Sequence, residues 1–483
     1  MSSADVETLL TLQRMESKLV DALFEHPGTI SRRREHELRY AVSFAGLHRF
    51  QPGAAAKGGR TQRRDVPVQI PALDDYRRMV VGVLSRPLLH TRDSEKRLRE
   101  TNRAYETIAH RVGATRRAVL DAHANDFSAQ ELDDEVGIKT LVSIAGGGGG
   151  AGYVYIGAWE VMQHARLIPG YIIGSSIGAV LGLFRAKERE GDYAAHLERA
   201  KQLRRDEVFR FISMRARYGL PGIFRLYLHH GLQDGFRNPD GSPMRLSDLQ
   251  IPFEAVVGGV RRGALEESPE AYAISHHLPQ DRRPGRLELR ARLATQMVRM
   301  WSFVNPRVVK EIVIGGDALT ADFDAIDAAG FSAAIPGILH YDIARDAPSM
   351  HSIASALMER EEIDAMVDGG VANNVPARTA WRQVHAGKIG TRNCYYLAFD
   401  CLSPQMSLGH AWMNLGERVL EMQVALNKRY MHRRVAFKPT LSPVTLLPNA
   451  KQMDQAVAWG RAQMSGEVTR IQKHMERVRY EEG

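Results

Sequence analysis

Cysteine is almost absent from this chain. Two thiols, Cys394 and Cys401, occur in 483 residues, seven positions apart at the end of one apolar segment. This excludes a disulfide scaffold, suits a reducing compartment and offers no cysteine metal site. Long apolar runs are missing as well. The longest, Tyr171–Phe184, has fourteen residues including three glycines and two serines, short of the ~20 that a spanning helix needs. The opening Met1-Ser2-Ser3-Ala4-Asp5-Val6-Glu7 carries neither a basic stretch nor an apolar core, so no secretory signal is expected and the expected location is cytoplasmic. Groups of His, Asp and Glu at metal-ligand spacing are lacking too, and no metal is expected. What is present is ordinary for a globular protein: 44% hydrophobic and 25% charged residues, enough to bury a sizeable core.

The net charge of +9 is uneven. Between Arg32 and Arg117 there are 20 Lys+Arg against 9 Asp+Glu, a surplus of 11, and the rest is near neutral. Such a segment seeks phosphate or simply forms a solvated helical surface. It has no basic–aromatic platform for stacking bases, so an anionic membrane is the expected partner and nucleic acid is not.

Residues 1–138 read as helical. Val6, Leu9, Leu10, Leu12, Met15, Leu19, Val20 and Leu23 form one stripe at spacings of three and four. Gln51–Val68, rich in glycine and proline, reads as an exposed loop, and helical patterns follow over Asp74–Leu84 and Ser94–Ala122. The texture changes at Lys139. Thr140–Ala145 is an unalternating apolar run, as in a strand buried on both faces. A helical pattern over Tyr153–Arg166, a strand at Tyr171–Ile173 and a helix at Ile177–Lys187 then give the rhythm of a parallel sheet with helices on its faces. Further strands are expected at Phe253–Val257, Val309–Ile314, Ala365–Val367 and Tyr395–Ala398, with an irregular insertion near Glu266–Gly285. From Gln405 onward the pattern is again helical, broken around Pro439–Pro448, with Met406, Met413, Met422 and Met431 as core filling.

Three segments carry chemistry. Gly174-Ser175-Ser176-Ile177-Gly178 fits G-x-S-x-G, a sharp strand-to-helix turn that strains the serine and projects its hydroxyl at a helix N-terminus. Gly146–Gly150 can turn consecutive N–H groups toward one anion, as an oxyanion hole requires. The run ends Gly150-Ala151-Gly152-Tyr153, so it is no Walker A loop. Gly147-x-Gly149-x-x-Gly152 matches the dinucleotide fingerprint literally, but the next strand lacks the ribose-binding acid. Asp368 ends a short apolar strand and is freed by Gly369 and Gly370. The alternative set Ser176, Asp368 and His385 has the chain order of an α/β-hydrolase triad.

Together these segments resemble the patatin-like phospholipase family. Ile144–Gly152 with Ile156-Gly157 is similar to its glycine loop and helix. Ile172–Ala179 is similar to its elbow, Val367–Pro376 to its Asp-Gly-Gly segment, and Phe331–Gly337 to a small-residue-Pro-Gly segment between them. The resemblance spans about Lys139–Ser403. It departs at Ala151, where the family usually has Lys or Arg, which leaves room for a weakened oxyanion hole or an inactive lipid-binding module. It implies a three-layer α/β/α domain over residues 139–403 with a mostly parallel central sheet, flanked by helical regions 1–138 and 404–483. It also implies a lipid acyl hydrolase, of phospholipase A, lysophospholipase or neutral lipase type, that needs no cofactor. Ser176 would be its nucleophile, Asp368 its base, and Gly147, Gly148, Gly149 and Gly150 the oxyanion donors. An acyl groove or lid is expected from Phe209, Phe211, Met214, Tyr218, Leu220, Ile223, Phe224, Leu226 and Tyr227, interspersed with Arg215, Arg217 and Arg225.

Overall fold

The computed structural model describes residues 2–59, 61–211, 217–264, 305–343, 345–402 and 422–481. The insertion expected near Glu266–Gly285 falls outside the described residues, as do Met214, Arg215, Met406, Met413 and the side chains of Phe211 and Ile223.

Among the described residues seven strands form the central sheet: β1 (Thr140–Ala145), β2 (Tyr171–Ser175), β3 (Phe253–Arg261), β4 (Val309–Ile314), β5 (Ile363–Val367), β6 (Cys394–Asp400) and β7 (Arg433–Ala436). The order is β5–β3–β2–β1–β6–β7, with β4 also paired to β3. The pairings β1–β2, β2–β3, β1–β6 and β6–β7 are parallel, whereas β4 and β5 run antiparallel on β3. Every residue of β1, β2 and β6 is buried, as unalternating runs demand. Alternate residues serve opposite faces. Leu141, Ala145, Leu397 and Phe399 pack with Trp159 and Val457 on one side, while Val142, Ile144, Tyr396 and Ala398 pack with Trp381 and Val384 on the other. Helices on both faces make the three-layer α/β/α domain.

The N-terminal region has six longer helices, from Ser3–Glu25 to Ala129–Gly137. In the first, Leu12, Met15, Leu19 and Leu23 join the helical core, while Leu9 and Leu10 pack into the cluster under the sheet. At roughly 1.5–3 kcal/mol per buried leucine, that helix ties the two regions together. The pattern over Ser94–Ala122 is two helices, broken at Thr107 and Ile108, whose N–H groups turn back to the carbonyls of Ala104 and Tyr105. Nor is Gln51–Val68 a free loop. Gln51 N–H donates to Gly390 O, Ala54–Lys57 is helical, and Val66–Pro67 pairs with Arg49–Phe50.

The segment after residue 403 is more than a helical extension. Arg433–Ala436 supplies the edge strand β7. Helix Ala450–Ser465 crosses helix Val154–His164 so closely that a Cβ at Gly157 would sit 2.0 Å from Val457 O. Val478 and Tyr480 reach the N-terminal core, where the fully buried Arg39 bonds Glu476 and the carbonyls of Lys473 and Glu476. The basic surplus is partly neutralised by acids distant in sequence. Arg32 pairs with Glu476, Arg63 with Glu131, Arg64 with Asp126 and Arg116 with Asp133. Arg86, Arg92, Arg103, Arg111 and Arg117 stay exposed with no ion pair among the described residues.

Candidate active site

The carboxyl ends of β1, β2 and β6 are level, with Ala145 registered against Gly174 on one side and Phe399 on the other. Ligands gather at this end of an open α/β sheet. Ser176 follows β2 with φ 54° and ψ −128°, one of three described non-glycine residues at positive φ. That strain is of order 1–3 kcal/mol and persists only where neighbours enforce it. They do so here by close contact: a Cβ at Gly178 would lie 2.2 Å from Ala145 O. The Ser176 N–H donates to Ser332 Oγ (2.9 Å), and Ser332 Oγ donates to Val256 O (2.6 Å).

The Ser176 hydroxyl donates to Asp368 Oδ2 at 2.5 Å. Asp368 follows β5 and caps the short helix Gly369–Asn373. Its Oδ1 accepts the Gly370 N–H at 2.7 Å, and its own N–H donates to Ala334 O. Both residues are buried. Burial pushes the Asp368 carboxyl up from 3.8 to about 7, outweighing the hydrogen bonds from Ser176 and Gly370 that pull it down. A carboxyl with that value is half ionised near neutral pH and already bonded to the hydroxyl proton it would accept.

The glycine loop follows β1 and touches the serine, since a Cβ at Gly147 would lie 2.9 Å from Ser176 Cβ. Two of the four expected donors are committed elsewhere. The Gly147 N–H donates to Asn374 O and the Gly150 N–H to Pro443 O. Those of Gly148 and Gly149 donate to nothing among the described residues. The loop is seated by the segment Ser442–Leu447: a Cβ on Gly149 would meet Pro443 O at 2.2 Å, and one on Gly150 would meet Thr445 O at 2.2 Å. Ala151 is fully buried, and its N–H donates to Gly148 O. Ser332 and Asn374 lie within the family-like segments Phe331–Gly337 and Val367–Pro376, but the sequence assigns a role to neither of them, nor to Pro443.

His385 is not assembled with this pair. Its ring stacks on Trp381 at 3.8 Å between centroids, and its Nδ1 lies 3.2 Å from His48 Nε2. Burial, reinforced by His48 and Arg392, holds it well below the usual imidazole range. Both cysteines are buried thiols, with Cys401 Sγ against Gly147 O.

From Ser176 and Gly149 an apolar cleft of about 150 Å³ runs along helix Ile177–Lys187, walled by Ile177, Val180, Leu181 and Phe184. Of the cluster expected to form the groove, Phe209 and Leu226 line it. Tyr218 and Leu220 are core residues, with Tyr218 against Phe331, and Tyr227 stacks under Arg210 and Arg225.

Folding also gathers a group the sequence concealed. His229, Asp324 and Asp327 bring ligand-type atoms within 4.8 Å of one another. Arg345 already bonds both carboxylates, Tyr341 donates to Asp327, and the N–H groups of Ile326 and Asp327 donate to Asp324. The carboxylates are thus occupied by internal partners. No described helix is long and apolar enough to cross a membrane.

Compared with known families, residues 142–381 match the one described as patatin-like phospholipase. Among curated proteins no match is found.

Proposed function

From the premise that residues 142–381 are a patatin-like phospholipase domain, of a family of lipid acyl hydrolases, we propose that this chain cleaves acyl esters through a Ser176–Asp368 dyad. The observation that carries the reading is the direct Ser176–Asp368 hydrogen bond at a strained elbow opening on an apolar cleft. Asp368 Oδ2 takes the hydroxyl proton as Ser176 Oγ attacks the ester carbonyl carbon. The carbonyl oxygen becomes an oxyanion facing the uncommitted N–H groups of Gly148 and Gly149. Collapse breaks the bond to the leaving alkoxide, which receives the proton from Asp368. Water then attacks the acyl-serine, passing its proton to Asp368 and on to the departing Ser176 Oγ, and the fatty acid leaves. Every step uses groups of this chain.

The acyl chain lies in the cleft and the head group faces solvent. Phospholipid, lysophospholipid and neutral lipid esters are the substrate classes. The exposed arginines of the N-terminal region support a peripheral contact of this cytoplasmic enzyme with anionic membrane. A fluorophosphonate probe tests the chemistry, with the expectation that it labels Ser176 and blocks hydrolysis of p-nitrophenyl esters. A folded wild-type protein that neither labels nor hydrolyses any lipid class would favour an inactive lipid-binding module instead.

A further inference from the structure

The stripe of helix Ile177–Lys187 that lines the cleft does not end in an apolar residue. After Ile177, Val180, Leu181 and Phe184 the next side chain on the same face is Arg185, as the helical period requires. It stands nine residues beyond Ser176, about 13 Å along the axis at ~1.5 Å per residue. It is 3% exposed. Its Nη1 donates to Glu188 O at 2.7 Å, whereas Nε and Nη2 are buried with no partner among the described residues. The Tyr193 hydroxyl, also on the cleft wall, is buried and unpartnered too. The one acid among the described residues of this wall, Glu188, turns its carboxylate to Lys187 at 2.8 Å. A guanidinium is always charged and presents two parallel N–H groups to one carboxylate. Leaving such a group unpaired in an apolar cleft is unfavourable, so its retention points to a ligand that pairs with it.

We propose that the far end of the cleft recognises a carboxylate, and that the preferred acyl group is one that ends in an acid: an ester of a dicarboxylic or terminally oxidised acyl chain. The distal carboxylate is held by Arg185 Nε and Nη2 and by the Tyr193 hydroxyl while the ester carbon lies at Ser176. This rests on Ser176 being the acylated residue. A plain methyl-ended chain long enough to fill the cleft abuts the guanidinium without satisfying it, and is the poorer substrate.

The test compares p-nitrophenyl monoesters of dicarboxylic acids, from adipic to dodecanedioic, with p-nitrophenyl esters of the matching monocarboxylic acids. The wild-type protein should show at least tenfold higher kcat/KM for one length of the acid-ended series. Arg185→Met should abolish that preference, bringing the two series to equal kcat/KM, and Tyr193→Phe, which removes one hydroxyl, should reduce it if Arg185→Met fails to fold. Equal or better turnover of the methyl-ended series at every length overturns the proposal. Absence of turnover in both series refutes instead the reading of Ser176. Binding of free dodecanedioate to Ser176→Ala, followed by calorimetry, then separates the two: binding tighter than dodecanoate upholds the carboxylate site, and equal binding overturns it.

Discussion

Replacing Asp368 by Asn should destroy activity and stabilise the protein. The carboxyl titrates near 7 in the folded chain against an ordinary value of 3.8. An acid whose folded value is raised holds its proton more tightly folded than unfolded. Its contribution is therefore most favourable below 3.8, is lost as pH rises toward 7, and stays lost above that. At about 1.4 kcal/mol per pH unit, the gap of roughly three units amounts to about 4 kcal/mol. Asparagine keeps the shape and carries no charge, so it escapes this loss. In urea unfolding the variant should gain on wild type by about 3 kcal/mol between pH 5 and pH 8. Its kcat should fall by several orders of magnitude because an amide cannot accept the serine proton. A stability difference that is the same at both pH values would refute the claim that the folded state strains against this ionised carboxylate. Full activity in the variant would refute its role as base.

The acidic limb of the wild-type kcat/KM profile should have its midpoint near pH 7, the value burial sets for Asp368; a midpoint near 4 would contradict it. His385→Ala should leave turnover per folded molecule unchanged and lower the melting temperature, because the ring packs on Trp381 and His48; a folded but inactive variant would revive the triad. Activity should survive EDTA, since Arg345 already occupies the Asp324 and Asp327 carboxylates; loss restored by a divalent cation would overturn that assignment. In liposome sedimentation, binding should rise with phosphatidylglycerol, fall with salt and weaken when Arg103, Arg111 and Arg117 are changed together to Gln; equal binding to neutral vesicles would refute the electrostatic contact.

The parts of the fold that were legible in the sequence are those whose surroundings impose one pattern. Thr140–Ala145 has the unalternating apolar run typical of a strand covered on both faces, and the elbow required glycines wherever backbone meets backbone. Arg433–Ala436 carried no such mark, because an edge strand with two arginines has neither a continuous apolar run nor clean alternation. The same limit hid what holds the site. Ser332 acts through one hydrogen bond to a backbone N–H, and Pro443 through a carbonyl every residue possesses. The basic surplus was visible as a count, but its partners Glu131, Asp133 and Glu476 lie far along the chain, so the extent of neutralisation was not. Nothing in the sequence sets Arg185 apart from other cations in the last turn of a helix, and only the cleft wall reveals it as a buried charge.

The glycine loop leans on Pro443 and Thr445, nearly three hundred residues downstream. Translation reaches those residues only after Ser176, Asp368 and strands β1 to β6 have been made. A growing polypeptide therefore holds the Ser176–Asp368 pair before the surface that seats the glycine loop exists. On the proposed dyad mechanism it should stay inert until Pro443 and Thr445 have been added. Stalled nascent chains ending before Pro443 should fail to react with a fluorophosphonate that labels the released protein, and equal labelling of both would show that the cradle forms without its late-made wall.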